Sequence, residues 1–453
     1  MLDIVILAAG KGTRMRSAKP KVLHTLAGKA FVSHVIDRSH ELDANGIKVI
    51  VGHGAELVEQ RLAGPGIEFV QQTEQLGTGH AVQQVLPLLN AEATVLILYG
   101  DVPLIKTETL RHLCKKVSES SMGLLTIELE NPMGYGRIVR EDGAVTAIVE
   151  QKDCSEEQLL IREINTGVMA VKGKHLLQWL PALSNNNAQG EYYLTDLIAM
   201  ARAAGITVET TQPTGESEVM GVNNRQQQAE LERIYQREIA DQLMVEGLTM
   251  MDPARFDCRG NLQVGSDCVV DVNCIFEGKV VLGNNVYIGA NCTIKDSVIA
   301  DNTEIKANSV LEEAELEADC VVGPYARLRP GSKLAQGAKI GNFVETKKVQ
   351  IGKGSKVNHL SYVGDAELGE GVNVGAGTIT CNYDGVNKHK TIISDDVFVG
   401  SNTALVAPVT IAQGTTIAAG STITHSSEKN QLIVARSKQR HINGWQRPQK
   451  PKK

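Results

Sequence analysis

The sequence predicts an α/β domain with a mostly parallel sheet, then one long helix, then a parallel β-helix of hexapeptide repeats. Two observations support this fold class. Aliphatic residues recur at every sixth position through much of the second half, as at Leu316 and Val322. In the first half, short apolar runs alternate with helix-like stretches, as at Phe31–Leu42 and Gly79–Leu89. This pattern is typical of parallel α/β sheets. The expected divisions are a first domain at 1–225, a helical link at 226–246 and a second domain at 247–453.

Length and charge limit the possible classes of protein. The chain has 453 residues, enough for two or three domains that each bury a core. Its net charge of −6 gives no indication of a nucleic-acid or anionic-membrane binder. The first residues lack the basic segment of a secretory signal, and no apolar run reaches membrane-spanning length. We therefore expect a cytoplasmic protein that does not insert into a membrane.

The cysteines are predicted to be free thiols. The chain has eight of them, with no C-x-x-C pair among them. Cys268, Cys292 and Cys320 each follow a hexad aliphatic by four residues, a position that holds serine or threonine in other repeats. This spacing favours small, buried apolar side chains over disulfides or metal ligands.

The first apolar run, Ile4–Leu7, leads into a loop with the sequence AAGKGTRM at residues 8–15. Small residues let backbone N–H groups approach a phosphate chain, and Lys11 and Arg14 add positive charge. The dinucleotide-binding pattern is broken because Met15 stands at its third glycine, and the P-loop pattern is absent. Since ligands of such sheets bind at the carboxyl ends of strands, the loop is predicted to bind phosphate.

The string LAAGKGTRM, followed by Pro20 and Lys21, resembles the signature of sugar-1-phosphate nucleotidyltransferases. The resemblance implies that Arg14 and Lys21 stabilise phosphate charge while a sugar phosphate attacks the α-phosphorus in line. It also implies nucleotide binding by the residues that end the first strand and begin the loop, namely Leu7, Ala8, Ala9 and Gly10.

The segment QQTEQLGTGHA, residues 71–81, links a strand to a helix. Amide side chains can read the edge of a nucleobase through paired donors and acceptors. Taken alone, the segment is an ordinary loop. Because it follows the first signature in the chain, the segment resembles the uracil-binding segment of the same family. The resemblance implies that Gln72, Gly77 and Thr78 bind the uracil nucleotide.

A carboxylate follows the strand Val95–Tyr99, at Gly100 and Asp101. A lone carboxylate there could cap a helix. Nucleotidyl transfer, however, needs a hard cation to offset triphosphate charge, and Mg²⁺ takes one or two protein oxygens. We therefore expect Asp101 to bind Mg²⁺. The resemblance implies Asn223 as a second ligand.

Three polar clusters between strand-like runs are candidates for sugar recognition, although each taken singly would more often be structural. The family pattern assigns Gly136, Glu150 and Asn165 to the sugar, and Tyr99 and Gly100 to the nucleotide-sugar site.

The predicted link is charged and glutamine-rich, and Gly247 ends it. Its apolar residues fall at spacings of three and four and form one helical stripe: Leu231, Ile234, Tyr235, Ile239 and Leu243. We expect a straight helix of about 30 Å between two domains, with a partner-binding helix as the alternative.

The repeat from Val264 to Ile423 is too long in period for a strand or a helix. Six residues form one flat side of a triangular coil, so about 18 residues make a coil and the region makes about nine coils. The six-residue spacing of aliphatic residues is interrupted between Val374 and Ile393, where an inserted segment is predicted to form a binding loop.

Chemistry-bearing residues interrupt the repeat upstream of this loop. Two basic clusters, the carboxylate of Glu345 and His359 indicate a site for an anionic substrate with a base, although a lone histidine is usually structural. The motifs VETKK, VNHLSYVGD and NVGAGTITCNYDG resemble those of the bifunctional N-acetylglucosamine-1-phosphate uridyltransferase/glucosamine-1-phosphate N-acetyltransferase family. The resemblance covers essentially the whole chain.

The resemblance implies that His359 removes a proton from the glucosamine ammonium and that Glu345 orients the imidazole. It assigns the sugar phosphate to Arg329, Lys347, Tyr362 and Asn373. It assigns acetyl-CoA to Ala376, Asn382, Tyr383, Lys388, Ser401, Ala419 and Arg436. It further implies a left-handed β-helix, a homotrimer with acetyltransferase sites shared between subunits, and a role in cell-envelope synthesis.

Three alternatives remain at this point. The chain could be a single-activity nucleotidyltransferase whose β-helix only trimerises. It could carry a zinc site of the carbonic-anhydrase type, although His359, His389 and His425 lack a supporting pattern. It could also be a non-catalytic scaffold, which would leave the phosphate and metal residues of the first half without a function.

Overall fold

A computed structural model describes residues 1–450 of the chain. The chain forms two compact units, Met1–Tyr235 and a second unit from Gln236 onward, and the boundary falls inside one helix. The predicted domain limits remain predictions. Within residues 1–450, no helix is both long enough and apolar enough to cross a membrane.

The first unit alternates strands and helices. Its strands are β1 (Leu2–Leu7), β2 (Thr25–Leu26), β3 (Lys29–Ala30), β4 (Gly46–Val51), β5 (Ile67–Gln71), β6 (Thr94–Tyr99), β7 (Ser121–Glu128), β8 (Arg137–Glu141), β9 (Ala144–Val149), β10 (Glu163–Lys172) and β11 (Thr207–Thr211). Its helices are α1 (Phe31–His40), α2 (Ala55–Leu62), α3 (Thr78–Gln83), α4 (Thr107–Lys115), α5 (Glu156–Leu159), α6 (Gly173–Trp179) and α7 (Leu197–Ala203), followed by α8 (Arg225–Val245) at the unit boundary.

The sheet of the first unit has the order β11-β7-β10-β6-β1-β4-β5. Strands β6, β1, β4 and β5 run parallel, whereas β10 is antiparallel to both of its neighbours. Successive side chains of a strand point to opposite faces, so Ile4 and Ile6 join one buried cluster and Val5 joins the other. This arrangement confirms the α/β fold with a mostly parallel sheet.

The helix after the glutamine-rich segment is shorter than the pattern suggested. The sequence predicted helix-like structure over 79–89, but α3 ends at Gln83 and a short 3-10 turn covers Leu86–Leu88. Pro87 lies in that turn and lacks a backbone N–H, so it cannot continue an α-helical ladder. The strands predicted before the site loops are all present, within two or three residues of the expected ends.

The predicted linking helix exists as α8 and has 21 residues. Leu231 packs in a cluster of the first unit with Met15 and Phe31. Ala240 and Leu243 belong to the core of the second unit. Gly247 follows with φ 107°, a conformation that favours glycine and ends the helix.

The second unit consists of short parallel strands. They are β12 (Thr249–Met250), β13 (Phe256–Val264), β14 (Val269–Val270), β15 (Cys274–Leu282), β16 (Tyr287–Ile288), β17 (Thr293–Lys295), β18 (Val298–Ile299), β19 (Glu304–Ile305), β20 (Val310–Glu312), β21 (Ala314–Leu316), β22 (Val321–Val322), β23 (Arg327–Leu328), β24 (Ser332–Leu334), β25 (Lys339–Asn342), β26 (Glu345–Ile351), β27 (Lys356–His359), β28 (Tyr362–Leu368), β29 (Asn373–Val374), β30 (Ile379–Cys381), β31 (Thr391–Ile393), β32 (Phe398–Val399), β33 (Ala404–Val406), β34 (Val409–Ile411), β35 (Thr416–Ile417), β36 (Thr422–Ile423) and β37 (Leu432–Ile433).

The hexad aliphatics point into the coils, as the β-helix prediction requires. Ile288, Val322 and Ile340 are at most 1% exposed and lie in one buried cluster. One face contains eleven strands in the order β12-β14-β16-β19-β22-β25-β27-β29-β32-β35-β37. The stack is therefore longer than the predicted nine coils, because β12 and β37 lie outside the region with a clear hexad pattern.

Residues with positive φ occur at every corner of the coils, as at Asn285 and Asp296. One corner has this geometry in successive coils from Asn273 to Gly420, and we call it the left-handed corner. Its residues have φ between 48° and 74°, and most bond through their N–H to a carbonyl of the preceding coil: Asn273, Asn291, Asn308, Tyr325, Phe343, Leu360, Gly377, Asn402 and Gly420. For residues other than glycine, and less so for asparagine, this conformation costs about 1–2 kcal/mol. Tyr325, Phe343 and Leu360 are thus unusual occupants.

The cysteines of the β-helix are free and point into the coils. Cys268, Cys292 and Cys320 are at most 1% exposed. Burial raises the pKa of the Cys292 and Cys320 thiols to about 11. The prediction of small, buried, free thiols is confirmed at these positions.

Candidate functional site

The loop after β1 lies at the carboxyl end of the parallel sheet, as predicted. The Ala8 N–H donates to the Ile50 carbonyl at 2.9 Å, which holds the start of the loop against β4. Thr13–Met15 then forms a 3-10 turn whose flanking residue Gly12 has φ 58°. A Cβ at Gly12 would lie 2.6 Å from the Lys21 side chain, so glycine lets the loop pass close to Lys21.

This loop borders a cavity of about 380 Å³ in the first unit. Eleven of the predicted nucleotide-site and cation-site residues line it: Leu7, Ala8, Ala9, Gly10, Lys21, Gln72, Gly77, Thr78, Tyr99, Asp101 and Asn223. They come from segments distant in sequence, which β1, β4, β5 and β6 bring to one edge of the sheet. A concave site of this size suits a small polar ligand.

The segment around Gly77 is fixed by a close approach of another loop. Gly77 has φ 113°, and a Cβ there would lie 2.6 Å from the Tyr192 carbonyl oxygen. The Tyr192 carbonyl also accepts from the Gly79 N–H at 2.8 Å, and the Leu194 N–H donates to Thr78 Oγ1 at 3.2 Å. Gln72 is buried and its amide donates to the Gly77 carbonyl at 3.2 Å. The predicted uracil segment is therefore preorganised.

Two oxygen donors converge on the ammonium group of Lys21. Asp101 Oδ2 forms an ion pair with Lys21 Nζ, and Asn223 Oδ1 lies 3.3 Å from the same nitrogen. Asn223 Oδ1 also accepts from Arg14 at 2.9 Å. A carboxylate and an amide oxygen that already share one positive charge fit a divalent cation that takes few protein ligands.

The predicted sugar residues form a second cluster near this cavity but do not line it. The Asn165 N–H donates to the Gly136 carbonyl at 2.8 Å, and a Cβ at Gly136 would lie 3.6 Å from Glu150. Glu150 accepts from Thr195 Oγ1 at 3.3 Å. Burial, above all, raises the pKa of Glu150. Burial also raises the pKa of Tyr99, with Asp101 and Glu150 acting in the same direction.

Some members of the cavity were not predicted from the sequence: Val22, Gln75, Ala81 and Glu191. Gln75 and Ala81 lie within the quoted segment 71–81, so a closer examination of that segment could have suggested them. Glu191 follows a long loop without a strand, so no local pattern marks it. Conversely, Lys11 is exposed, and neither Lys11 nor Gly100 lines the cavity. The Gly100 N–H donates to the Leu7 carbonyl at 2.9 Å.

In the second unit, His359 is exposed at the end of β27. It is paired in register with Asn342 of the preceding coil. His359 Nδ1 lies 2.7 Å from Asn342 Oδ1. An amide oxygen accepts a hydrogen bond, so Nδ1 is the donor in this contact and Nε2 is the nitrogen that remains for a substrate.

The predicted partner of the imidazole, Glu345, makes a different contact. Its carboxylate accepts from Arg329 at 2.9 Å and lies 4.0 Å from Arg327. Glu345 is paired in register with Tyr362, not with His359. The left-handed corner, at Phe343 and Leu360, separates the strand that carries His359 from those that carry Glu345 and Tyr362.

Positive charge gathers beside Glu345. The ammonium of Lys388, from the inserted loop, lies against Lys347 and lowers the pKa of Lys347, and Arg329 acts in the same direction. Two predicted sugar-phosphate residues are thereby grouped with Lys388, which the sequence had assigned to acetyl-CoA. Such a cluster of cations is suited to a phosphate group. Tyr362 lies on the adjacent coil, with its hydroxyl over Gly364.

Several predicted acetyl-CoA residues form one column with His359. Successive coils place Asn342, His359, Ala376, Ser401 and Ala419 immediately before residues of the left-handed corner, and backbone bonds link them from coil to coil. Arg436 donates to the Ala419 carbonyl at 2.6 Å. Asn373 lies on the same face, paired with Lys356 of β27.

The inserted loop carries the remaining predicted residues. Asn382 is buried and donates to Asp365 at 2.5 Å, whereas Tyr383 is exposed. Asp384 accepts from the Asn387 N–H and from His389, and these bonds lower its pKa. Among residues 1–450, no three His, Cys, Asp or Glu side chains are grouped as metal ligands, so the zinc alternative gains no support.

Fold and sites together define a nucleotidyltransferase unit joined to a hexapeptide-repeat transferase unit. Residues 4–162 match the MobA-like NTP transferase domain, residues 258–341 the GMPPB C-terminal domain, and residues 390–425 the bacterial transferase hexapeptide (six repeats).

Proteins with the name "Bifunctional protein GlmU" match the chain along its length. The protein from Saccharophagus degradans is 69% identical over 450 residues, covering 99% of this chain and 100% of the relative. Those from Cellvibrio japonicus and Marinobacter nauticus are 63% and 60% identical, each covering 99% of both chains. The chain belongs to this bifunctional family. It is an N-acetylglucosamine-1-phosphate uridylyltransferase and a glucosamine-1-phosphate N-acetyltransferase.

Proposed function

We propose that the first unit carries out the uridylyl transfer and the second unit the acetyl transfer. Acetyl-CoA and glucosamine-1-phosphate give N-acetylglucosamine-1-phosphate, which then reacts with UTP to give UDP-N-acetylglucosamine and pyrophosphate. The order follows from the chemistry, because the product of the first reaction is the substrate of the second. The final product would supply bacterial cell-envelope synthesis, including peptidoglycan and lipopolysaccharide.

In the first unit, the backbone of Leu7–Gly10 and the segment with Gln72, Gly77 and Thr78 bind the nucleotide. Arg14 and Lys21 stabilise the negative charge that develops as the sugar phosphate attacks the α-phosphorus in line. Support comes from the cavity that most of these residues line and from the contact of Arg14 with Asn223. Gly136, Glu150 and Asn165 bind the sugar.

We assign Mg²⁺ to the oxygens of Asp101 and Asn223. When bound, the cation offsets the charge of the triphosphate. The side chain of Lys21 now lies on both oxygens. It would exchange them for phosphate oxygens when the nucleotide binds, which keeps every charged group partnered in both states.

In the second unit, His359 Nε2 takes a proton from the glucosamine ammonium. The freed amine attacks the thioester carbonyl carbon, the carbon–sulfur bond breaks, and the CoA thiolate leaves. The nitrogen loses a second proton as the amide forms, and the thiolate takes up a proton in its place. Arg329 and Lys347 bind the sugar phosphate with help from Lys388, and Tyr362 and Asn373 contact the sugar. Acetyl-CoA lies along the column of Ala376, Ser401, Ala419 and Arg436, with Asn382 and Tyr383 beside it.

We assign the orientation of the imidazole to Asn342 and not to Glu345 of the same chain. The 2.7 Å contact between Asn342 Oδ1 and His359 Nδ1 supports this assignment. Glu345 would instead hold Arg329 in place for the phosphate, because its carboxylate accepts from that guanidinium.

The active assembly is a homotrimer with acetyltransferase sites shared between subunits. The hexapeptide match supports it, and so does the exposed position of His359 on the coil surface. A shared site would give the imidazole the enclosure that a single coil surface lacks. We place both reactions in the cytoplasm, as the sequence predicted.

The assignment of the second activity depends on the position of His359, which lies next to Ala376 at the start of the column of predicted acetyl-CoA residues. The test supplies purified protein with glucosamine-1-phosphate, acetyl-CoA, UTP and Mg²⁺ while free thiol and pyrophosphate are followed. We expect His359→Ala to lose thiol release and still form pyrophosphate from supplied N-acetylglucosamine-1-phosphate. Thiol release at the wild-type rate in this variant would remove His359 as the base. A wild-type protein that releases no thiol would favour a β-helix that only trimerises.

A further inference from the structure

A buried carboxylate of the first unit lies outside the cavity. Glu218 is 1% exposed and belongs to a 3-10 turn at Glu216–Val219. It does not line the cavity, and it has no part in the nucleotide and sugar binding proposed above. Because a charged group loses its hydration on burial, a carboxylate in this position needs several hydrogen-bond donors.

The Glu218 carboxylate accepts hydrogen bonds from two separate segments of the chain. Thr109 Oγ1 donates to Glu218 Oε2 at 2.7 Å. The N–H and the hydroxyl of Thr214 donate to Glu218 Oε1 at 2.8 Å and 2.6 Å. The ammonium of Lys106 lies 3.8 Å from Oε1 and donates to Thr214 Oγ1 at 2.9 Å. Both carboxylate oxygens thus bond within the protein, and Glu218 is a bridge between the two segments.

The bridged segments are those that carry the two proposed cation ligands. Thr109 stands eight residues after Asp101. Glu218 stands five residues before Asn223. The segment of Asn223, residues 212–224, connects β11 to α8 and contains no α-helix or strand. Its backbone groups lack the partners of a regular ladder, so individual contacts determine its position.

Further contacts join the same two segments close to the ligands. The Val222 N–H donates to the Asp101 carbonyl at 2.9 Å. A Cβ at Gly221 would lie 3.7 Å from Asp101 Oδ2, so the backbone passes beside this carboxylate. Val219 and Val102 belong to one buried cluster. Glu218 is therefore one of a series of contacts that follows both segments to the cation ligands.

We propose that Glu218 is a positioning residue for the cation site, because its hydrogen bonds fix the segment of Asn223 against the segment of Asp101. The inference rests on the Mg²⁺ assignment above and goes further by naming a residue that sets the spacing of the two ligands. Mg²⁺ demands near-ideal octahedral geometry, so a small change in this spacing weakens binding. Groups that orient the ligands of a metal typically contribute about 10–100-fold in affinity.

The first test replaces Glu218 by alanine, which leaves the donors of Thr109 and Thr214 without their acceptor. We expect the Kd of Mn²⁺ in the presence of UTP, measured by electron paramagnetic resonance, to rise about tenfold or more. The Mg²⁺ concentration for half-maximal pyrophosphate formation should rise in parallel, while kcat at saturating Mg²⁺ changes little. Thiol release should stay at the wild-type rate.

Glu218→Gln separates the geometry of the bridge from its charge. The glutamine Oε1 can accept both bonds from Thr214, and its amide can donate to the Thr109 hydroxyl, which also accepts hydrogen bonds. This variant keeps the bridge, so its Mn²⁺ affinity should be close to that of wild type. A Glu218→Gln variant that binds Mn²⁺ as weakly as Glu218→Ala would assign the effect to charge and overturn the positioning role.

Asp3→Ala controls for the loss of a buried carboxylate in the same unit. Asp3 is 5% exposed and forms an ion pair with Lys48 of the neighbouring strand at 3.5 Å. It stands near the start of β1 and does not line the cavity. The control should lower the melting temperature of the first unit and keep the wild-type affinity for Mn²⁺.

Thr109→Val provides a milder cut if Glu218→Ala fails to fold. It removes the hydroxyl that donates to Glu218 Oε2 and leaves the bonds from Thr214 in place. The loss of one hydrogen bond should raise the Kd of Mn²⁺ about threefold or more. Thr107 also begins α4, but its hydroxyl donates to Glu41 and not to Glu218. Thr107→Val should therefore bind Mn²⁺ like wild type.

The variants also separate this inference from the cation assignment. Wild-type Mn²⁺ affinity in Thr109→Val, and in Glu218→Ala where it folds, would overturn the proposal and leave Glu218 as a stabiliser of the fold. If Asp101→Asn left Mn²⁺ binding unchanged, the cation assignment would fail and the positioning role with it. If Asp101→Asn weakened Mn²⁺ binding and the Glu218 and Thr109 variants did not, the positioning role alone would fail.

Discussion

The two sites of this chain are built in opposite ways. The first is a cavity whose lining spans Leu7 to Asn223, gathered from many loops by one sheet edge. The second is a series of residues along the surface of a regular stack, with about one residue from each coil. In the first site the fold makes the concavity. In the second site the repeat supplies only position, and enclosure has to come from the inserted loop or from another copy.

The strongest test of this contrast acts on the first site. Asp101→Asn removes the carboxylate that forms an ion pair with Lys21. It also removes one of the two proposed cation ligands. We expect pyrophosphate formation to fall about a hundredfold or more, because a bound metal ion contributes several kcal/mol of charge stabilisation. Binding of Mn²⁺ in the presence of UTP, followed by electron paramagnetic resonance, should weaken in parallel.

Asp142→Asn is the matched control, since Asp142 has the same charge but lies on the exposed turn between β8 and β9. It should leave both readouts unchanged. Thiol release should be unaffected in either variant. If Asp101→Asn also abolished thiol release, the two sites would not be independent.

The second test asks how the open site orients its base. Asn342→Ala removes the acceptor of the His359 Nδ1 proton, and we expect kcat for thiol release to fall about tenfold, part of the 10²–10⁴ that a general base contributes. KM for glucosamine-1-phosphate should change little. Asn342→Asp keeps an acceptor and adds a charge that favours the protonated imidazole. In the pH profile of kcat/KM for the Asn342→Asp variant, the acidic limb should therefore move to higher pH. At pH values above that limb, the variant should regain activity.

Asn284→Ala controls for the loss of an exposed asparagine that also bonds across coils, and it should behave as wild type. An Asn342→Ala variant with wild-type kcat and pH profile would rule out the positioning role. A Glu345→Gln variant that shifted the acidic limb would return that role to Glu345.

The smallest effect is expected from a charge buried beside the enclosed site. Burial raises the pKa of Glu150 in the folded protein. The folded state therefore holds its proton to higher pH than the unfolded state. The stability this contributes is complete below the ordinary carboxyl pKa and is lost as the pH rises through the raised value. Glu150→Gln removes that loss, so the first unit should melt about 1–3 °C higher than wild type at pH 8.

Calorimetry from pH 4 to pH 8 checks this expectation, and the two proteins should converge at the acidic end. Glu128→Gln, at the exposed end of β7, should show no such pH-dependent difference. Equal melting of Glu150→Gln and wild type at every pH would mean that the buried carboxyl is not a source of instability.

The sequence predicted the fold where a local pattern determines the structure. Inward aliphatics such as Ile288 and Ile340 repeat because each coil needs the same core residue, so the hexad count revealed the β-helix. The count failed at β12 and β37, because terminal coils have a neighbour on one side only and need less of the pattern. The end of α3 depended on a proline turn that periodicity does not register.

Site residues followed the same rule. Lys21, Gln72 and Asp101 could be predicted because they follow strands or belong to signatures. Glu191 could not, because it reaches the cavity from a long loop whose course depends on tertiary packing. The pairing of Asn342 with His359 also needed the structure, because it depends on register between coils that are 17 residues apart.

The regular stack has a consequence for how the second unit comes apart. Each coil touches only the coils before and after it, so opening behaves like unzipping and begins at the terminal coils. It begins more readily at β37 than at the β12 end, because Ala240 and Leu243 of α8 pack in the core of this unit. Strand β27, which carries His359, has several coils on either side. The ends can fray and re-form many times in the life of the protein while the coil with the base stays closed.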